Sequence, residues 1–236
     1  MDKKLKRALN DAYRAPPSAG KAAFLKQHRR RELGRWELIA VQAGYVRWWI
    51  WGGSLALFGL ILWGLVGAGE GGLWCVAAVT PFLALLAVTE NSRSRLYGMD
   101  ELELACRMPW QSVLLTRMVV LGLFHLVLLA GLTPALAVWG GVGAARAGVY
   151  LLTPYLSTAA LGMELTRRYR GREGLLACGG AAALVSGLGM LPTYLQTIIY
   201  RRENLPLWGL ALAAATAATA VEINLNFRKM EELPWN

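Results

Sequence analysis

The sequence predicts an all-α integral membrane protein with six transmembrane helices, and three observations predict it. Of 236 residues, 56% are hydrophobic and only 17% charged, where a soluble domain carries about 25% charge. Apolar runs recur along the chain at close to the roughly 20 residues that a helix needs to cross a hydrocarbon core. Charge is gathered at one end: residues 1–47 hold twelve Lys or Arg against four Asp or Glu, most of the net +10.

The runs fall at about 48–66 ("WWIWGGSLALFGLILWGLV"), 73–89, 113–138, 147–165, 174–191 and 205–221. The last two are rich in Gly and Ala, which lowers hydropathy but lets backbones approach closely in lipid, so both are expected to pack against other protein. This divides the chain into a basic arm and elbow at 1–43, a transmembrane domain at 44–223 and a tail at 224–236. The first apolar run begins near residue 45, behind the basic segment and without a small-residue cleavage site, so the N-terminus is expected to be retained. The positive-inside rule places the arm in the cytoplasm. Alternating spans then put the loops at 90–112 and 166–173 ("TRRYRGRE") and the tail inside as well. Arg201 and Arg202 land outside; a short helix within 192–204 ("PTYLQTIIYRREN") dipping into the outer leaflet would set them among the headgroups.

The arm reads as two amphipathic helices. Leu5, Ala8, Leu9, Ala12 and Tyr13 recur at helical spacing opposite Lys4, Arg7, Asp11 and Arg14. Pro16 and Pro17 interrupt the pattern, and a second helix after Ser18 carries Phe24 and Leu25. Such helices suit an anionic leaflet, where each Lys or Arg contributes about 1 kcal/mol. They suit an acidic partner protein as well, or a solvated arm that only fixes topology. A third piece at 33–43 presents Leu33, Trp36, Ile39, Ala40 and Ala43, then runs into "GYVRWW". With Trp36, Trp48 and Trp49 as interfacial residues by type, it is an expected elbow helix along the inner surface.

Several chemistries lack their residues. Gly20-Lys21 is followed by Ala22, so no phosphate loop is formed. There is neither a HExxH nor a CxxC pattern, and Cys75, Cys106 and Cys178 are widely spaced, which fits plain packing. No metal, cofactor, nucleic-acid partner or catalytic set is expected. His125 lies mid-span, where an ionisable side chain is a functional candidate; a neutral His bonded to a neighbouring helix is the simpler expectation. Ser54, Ser157 and Ser186 are intramembrane hydroxyls with no protease-like His pair in the sequence. Glu90, Glu164 and Glu222 lie near the cytoplasmic ends of the second, fourth and sixth spans, with Arg117 near the start of the third. They form either a polar cluster at the mouth of a pathway or interfacial residues paired with Arg93, Arg167 or Arg228.

Between the second and third spans stands "NSRSRLYGMDELELACRMPW" (91–110). Leu96, Met99, Leu102 and Cys106 share one helical face, and Asp100, Glu103 and Arg107 a neighbouring one, with Glu103 and Arg107 a favourable i,i+4 pair. Pro109 ends the pattern. An interfacial helix usually shows Lys or Arg on its polar face, but this one shows Asp100, Glu101 and Glu103, which suits a protein partner better than an anionic leaflet.

Taken with the elbow and the spans, the segment "MDELELACRMPWQSVLLTRMVVLG" (99–122) resembles the coupling-helix region of the permease subunit of ABC-2 type ABC transporters. The resemblance covers the whole chain in architecture and about 90–120 in residues. It implies a bacterial inner-membrane permease that pairs with a second copy or a homologous permease and engages two separately encoded ATPase subunits. Leu96, Met99, Asp100, Glu101, Leu102, Glu103, Cys106 and Arg107 would form the coupling helix, with Trp36, Ile39 and Ala43 on the elbow. Export of a lipid, peptide or drug-like molecule follows from the family, and the long basic arm departs from its pattern. The alternative is a polytopic regulator of anti-sigma or sensor type, whose arm binds a cytoplasmic partner.

Overall fold

The computed structural model describes Gly20 and residues 35–68, 73–93, 97, 110–169, 171–190, 200 and 202–231. The arm helices, the predicted coupling helix at 96–107 (apart from Tyr97) and the dipping segment at 192–199 lie outside the described residues. The chain divides into two units, Met1–Glu37 and Leu38–Asn236, and the helical bundle belongs to the second. Among the described residues there are seven α-helices, one short 3-10 helix and no strand.

Helix α1 (Arg35–Tyr45) occupies the elbow region. Gln42 is buried in it, as is Val46 just beyond, whereas Trp36, Ala40 and Tyr45 are exposed and Ile39 and Ala43 half-buried. Trp36, Val41 and Tyr45 thus leave part of its apolar side exposed. A tight turn closed by Ile50 N–H on the Arg47 carbonyl, 3.0 Å, leads into α2 (Trp48–Ala68). Next come α3 (Leu73–Asn91), α4 (Trp110–Trp139), α5 (Ala144–Arg168), α6 (Gly171–Gly189), the 3-10 turn Arg202–Asn204 and α7 (Leu205–Glu231).

One cluster joins Ile61 and Leu65, late in α2, and Leu132 and Leu136, late in α4, to Val76, early in α3, and Leu151, early in α5. Another joins Val88 and Met163, late in α3 and α5, to Cys178, early in α6. Helices that meet late-to-early in this way run alternately up and down.

Helix α5 is the hub, packing against α3, α4, α6 and α7, while α3 lies between α2, α4, α5 and α6. Among the described residues, α2, α4 and α7 are the three helices long and apolar enough to cross a membrane. They also leave much of themselves open: 22%, 39% and 11% of their most apolar stretches are buried, respectively. Apolar residues are thus turned outward, and the polar ones of α5, Thr153, Thr158 and Thr166, are turned inward. A water-soluble bundle does the reverse; this is the arrangement of a membrane-embedded protein.

The same inversion explains why α3, α5 and α6 fall short of the apolar standard although helices stand where spans are predicted. The apolar stretch of α3 is the shorter Val76–Asn91. Helix α5 is diluted by Arg146 and its inward hydroxyls, and α6 by glycines. Helix α7 packs along α5, as its small residues suggest, yet its outer side is open, and among its central residues only Ala215 is buried.

Small residues set the closest approaches. A Cβ on Gly162 of α5 would lie 3.0 and 3.2 Å from the two methyls of Val88 on α3, and one on Gly189 of α6 would lie 3.4 Å from the backbone of Ala77. Between α5 and α6 the chain reverses through Gly171, whose φ of 64° is a left-handed conformation that glycine adopts without strain.

Candidate functional site

Three polar features interrupt the bundle. The first is at the end where α3, α5 and α7 finish. Arg167 donates to Glu222 twice, from Nε to Oε2 at 3.2 Å and from Nη2 to Oε1 at 3.0 Å. This fork-to-fork geometry is the strong form of the Arg–carboxylate pair. Glu222 is buried and would be costly there without a partner. Asn226 Nδ2 donates back to the Glu222 carbonyl, 2.9 Å. Glu90, also buried, pairs with Arg93 at 3.2 Å, and Glu164 with Arg168 one turn away. Ser92 donates to Thr166 at 3.1 Å, tying α3 to α5.

The predicted cluster is therefore resolved into separate ion pairs at one end of the bundle. The four residues are not drawn into a single site. Arg117 is half-buried on α4 and makes no ion pair among the described residues. At the same end, the Arg47 guanidinium lies 5.8 Å from the centre of the Tyr97 ring, within cation–π range. Tyr97 is the one described residue of the 96–107 segment, so this contact links that segment to the junction of α1 and α2.

The second feature is a hydrogen-bonded chain across three helices. Ser54 Oγ of α2 lies 2.9 Å from His125 Nε2 of α4, and His125 Nδ1 lies 3.1 Å from the Tyr155 hydroxyl of α5. Ser54 and His125 have no exposed surface. A Ser–His contact is the start of a nucleophile–base pair, but the third member here is a phenol in place of a carboxylate. The two hydrogen bonds tie α2, α4 and α5 together inside the bundle. Ser54 and His125 are 71 positions apart, and their partnership has no signature in sequence.

The third feature is a cavity of about 360 Å³ between α3, α5, α6 and α7, missed by sequence reasoning. Thr153, Pro154, Ser157 and Leu161 of α5 form one wall, Val185, Leu188 and Gly189 of α6 another; Ala77, Tyr200 and Trp208 complete it. Pro154 has no N–H for the Tyr150 carbonyl, a gap tolerated where a helix is enclosed by others.

Aromatic rings close one end. Tyr200 stacks on Trp208 at 5.4 Å, and Tyr150 meets both edge-on at 5.2 and 5.1 Å. The Tyr200 carbonyl accepts from Arg146 Nη2 at 3.0 Å and from the Tyr150 hydroxyl at 3.3 Å. Burial, and then the neighbouring Tyr150, push the Tyr200 phenol up to about 12, so it stays protonated at neutral pH. No protein-family model matches the chain, and neither a curated protein nor a solved structure gives a match.

Proposed function

We propose that the chain is the membrane-spanning subunit of an ATP-driven transporter of ABC-2 type, with six spans, α2 to α7, and with ATP hydrolysed on separate partner subunits. The observation that supports it best is the Arg47–Tyr97 contact. A partner docked on the acidic segment 96–107 would act directly on the junction of α1 and α2. The same end of the bundle holds the Ser92–Thr166 and Arg167–Glu222 links, so displacement there reaches α3, α5 and α7 together. A device that turns a cytoplasmic push into helix tilting needs such a connection.

The test is co-expression with the ATPase encoded beside it. A complex should form, and Glu101→Lys with Glu103→Lys should abolish the stimulation of ATPase activity. Absence of a complex, or unaltered stimulation in the double variant, sinks the proposal. Capture of a transcription factor by the arm of the intact chain would instead favour a membrane regulator.

A further inference from the structure

The cavity beside α5 has properties that select one kind of occupant. It is elongated: its wall on α5 runs from Thr153 to Leu161, about 12 Å at 1.5 Å per residue. No charged side chain is among the described residues that line it. The Thr153 hydroxyl is already donated to the Val149 carbonyl at 2.7 Å, leaving the Ser157 and Tyr200 hydroxyls and the Trp208 indole N–H as the other polar side-chain groups of the wall. A peptide would bring several backbone groups to a wall that could not satisfy them, and an unmet group in an apolar site costs several kcal/mol.

Among the described residues, the cavity also opens sideways. Helices α6 and α7 each pack along α5 but make little contact with each other. Leu161 and Leu188 line the cavity and are exposed on the outside of the bundle, the surface that meets hydrocarbon. At one end sit Tyr200 and Trp208, residue types that collect at the boundary between membrane and water.

We propose that the cavity holds one alkyl chain of a membrane lipid, which enters between α6 and α7 with its polar head at the Tyr200–Trp208 rim. This rests on the reading that α5, α6 and α7 cross the bilayer, and it does not depend on the ATPase partner.

The test uses the full chain in phosphatidylcholine vesicles carrying a phosphatidylcholine with a photoactivatable diazirine on one acyl chain. After irradiation, adducts mapped by mass spectrometry should concentrate on 153–161 and 185–189 relative to the exposed Leu55 and Leu60 of α2. Ser157→Trp, which fills the cavity, should lower those adducts at least about tenfold and leave labelling of α2 unchanged. Leu188→Trp, at the exposed mouth, should do the same without disturbing packing, and Ser157→Ala should keep the labelling. Adducts no denser than on α2, or unmoved by both Trp variants, overturn the proposal. Loss of the ATPase complex with labelling intact would sink the transporter reading and leave the lipid site standing.

Discussion

Arg167 of α5 holds Glu222 of α7 through two parallel hydrogen bonds, 3.2 and 3.0 Å, across 55 positions of sequence. Their side chains are 23% and 11% exposed, so removal of one partner strands a charge that water reaches poorly. Arg167→Ala should cost about 3 kcal/mol, the low end for breaking a buried pair. Adding Glu222→Gln should recover about 1 kcal/mol or more, since contacting residues are not additive. Unfolding in mixed micelles across the double-mutant cycle measures both; additive losses would mean the pair is not coupled.

The Ser54–His125–Tyr155 chain predicts an unequal series. Ser54→Ala and Tyr155→Phe each remove one interhelical hydrogen bond, which in membranes averages about 0.6 kcal/mol. His125→Ala strands two hydroxyls and opens a void, and should cost about 3 kcal/mol in the same assay. Equal losses at all three positions would contradict a central role for the imidazole.

Gly162 meets the side chain of Val88 where α5 crosses α3. Gly162→Ala should destabilise by about 1 to 3 kcal/mol through overpacking, and Val88→Ala in the same chain should restore part of that loss by removing the methyls in the way. A Gly162→Ala variant as stable as the parent would show that the two helices can separate at little cost.

Alternating direction of the helices predicts which loops share a side. Cysteines placed at Gly143, before α5, and at Met190, after α6, should react with an impermeant maleimide added outside intact cells. One placed at Tyr169, between the two helices, should react only after lysis. Reaction of all three from one side would mean that α5 and α6 do not cross.

Much of the fold was legible because hydropathy is local. The runs at 48–66 and 113–138 are the cores of α2 and α4, Trp48–Ala68 and Trp110–Trp139. The run at 205–221 stops short because Glu222 and Asn226 read as the start of a watery tail. In the fold Arg167 meets the first and the second bonds back to the backbone, so α7 continues to Glu231. The cavity left no trace in sequence, since its walls come from four helices and none of its lining residues is unusual alone. The His125 partners were equally hidden, because spacing within a helix carries no information about which helix lies opposite. Helix α7 packs along α5, as its small residues suggest, but its open outer side had no signature, since small residues on one face say nothing of what covers the other.

The enclosure of α5 has a consequence for how the protein is made. Its inward threonines and Arg146 make it the segment least suited to stand alone in lipid, and the neighbours that shelter it are synthesised on both sides of it. If α5 crosses the bilayer as proposed, α3 and α4 emerge first and can receive it, whereas α6 and α7 do not yet exist when it arrives. Its insertion would then be a cooperative act of the nascent chain. A ribosome that stalls soon after Arg168 would leave a half-sheltered helix, a natural mark for membrane quality control.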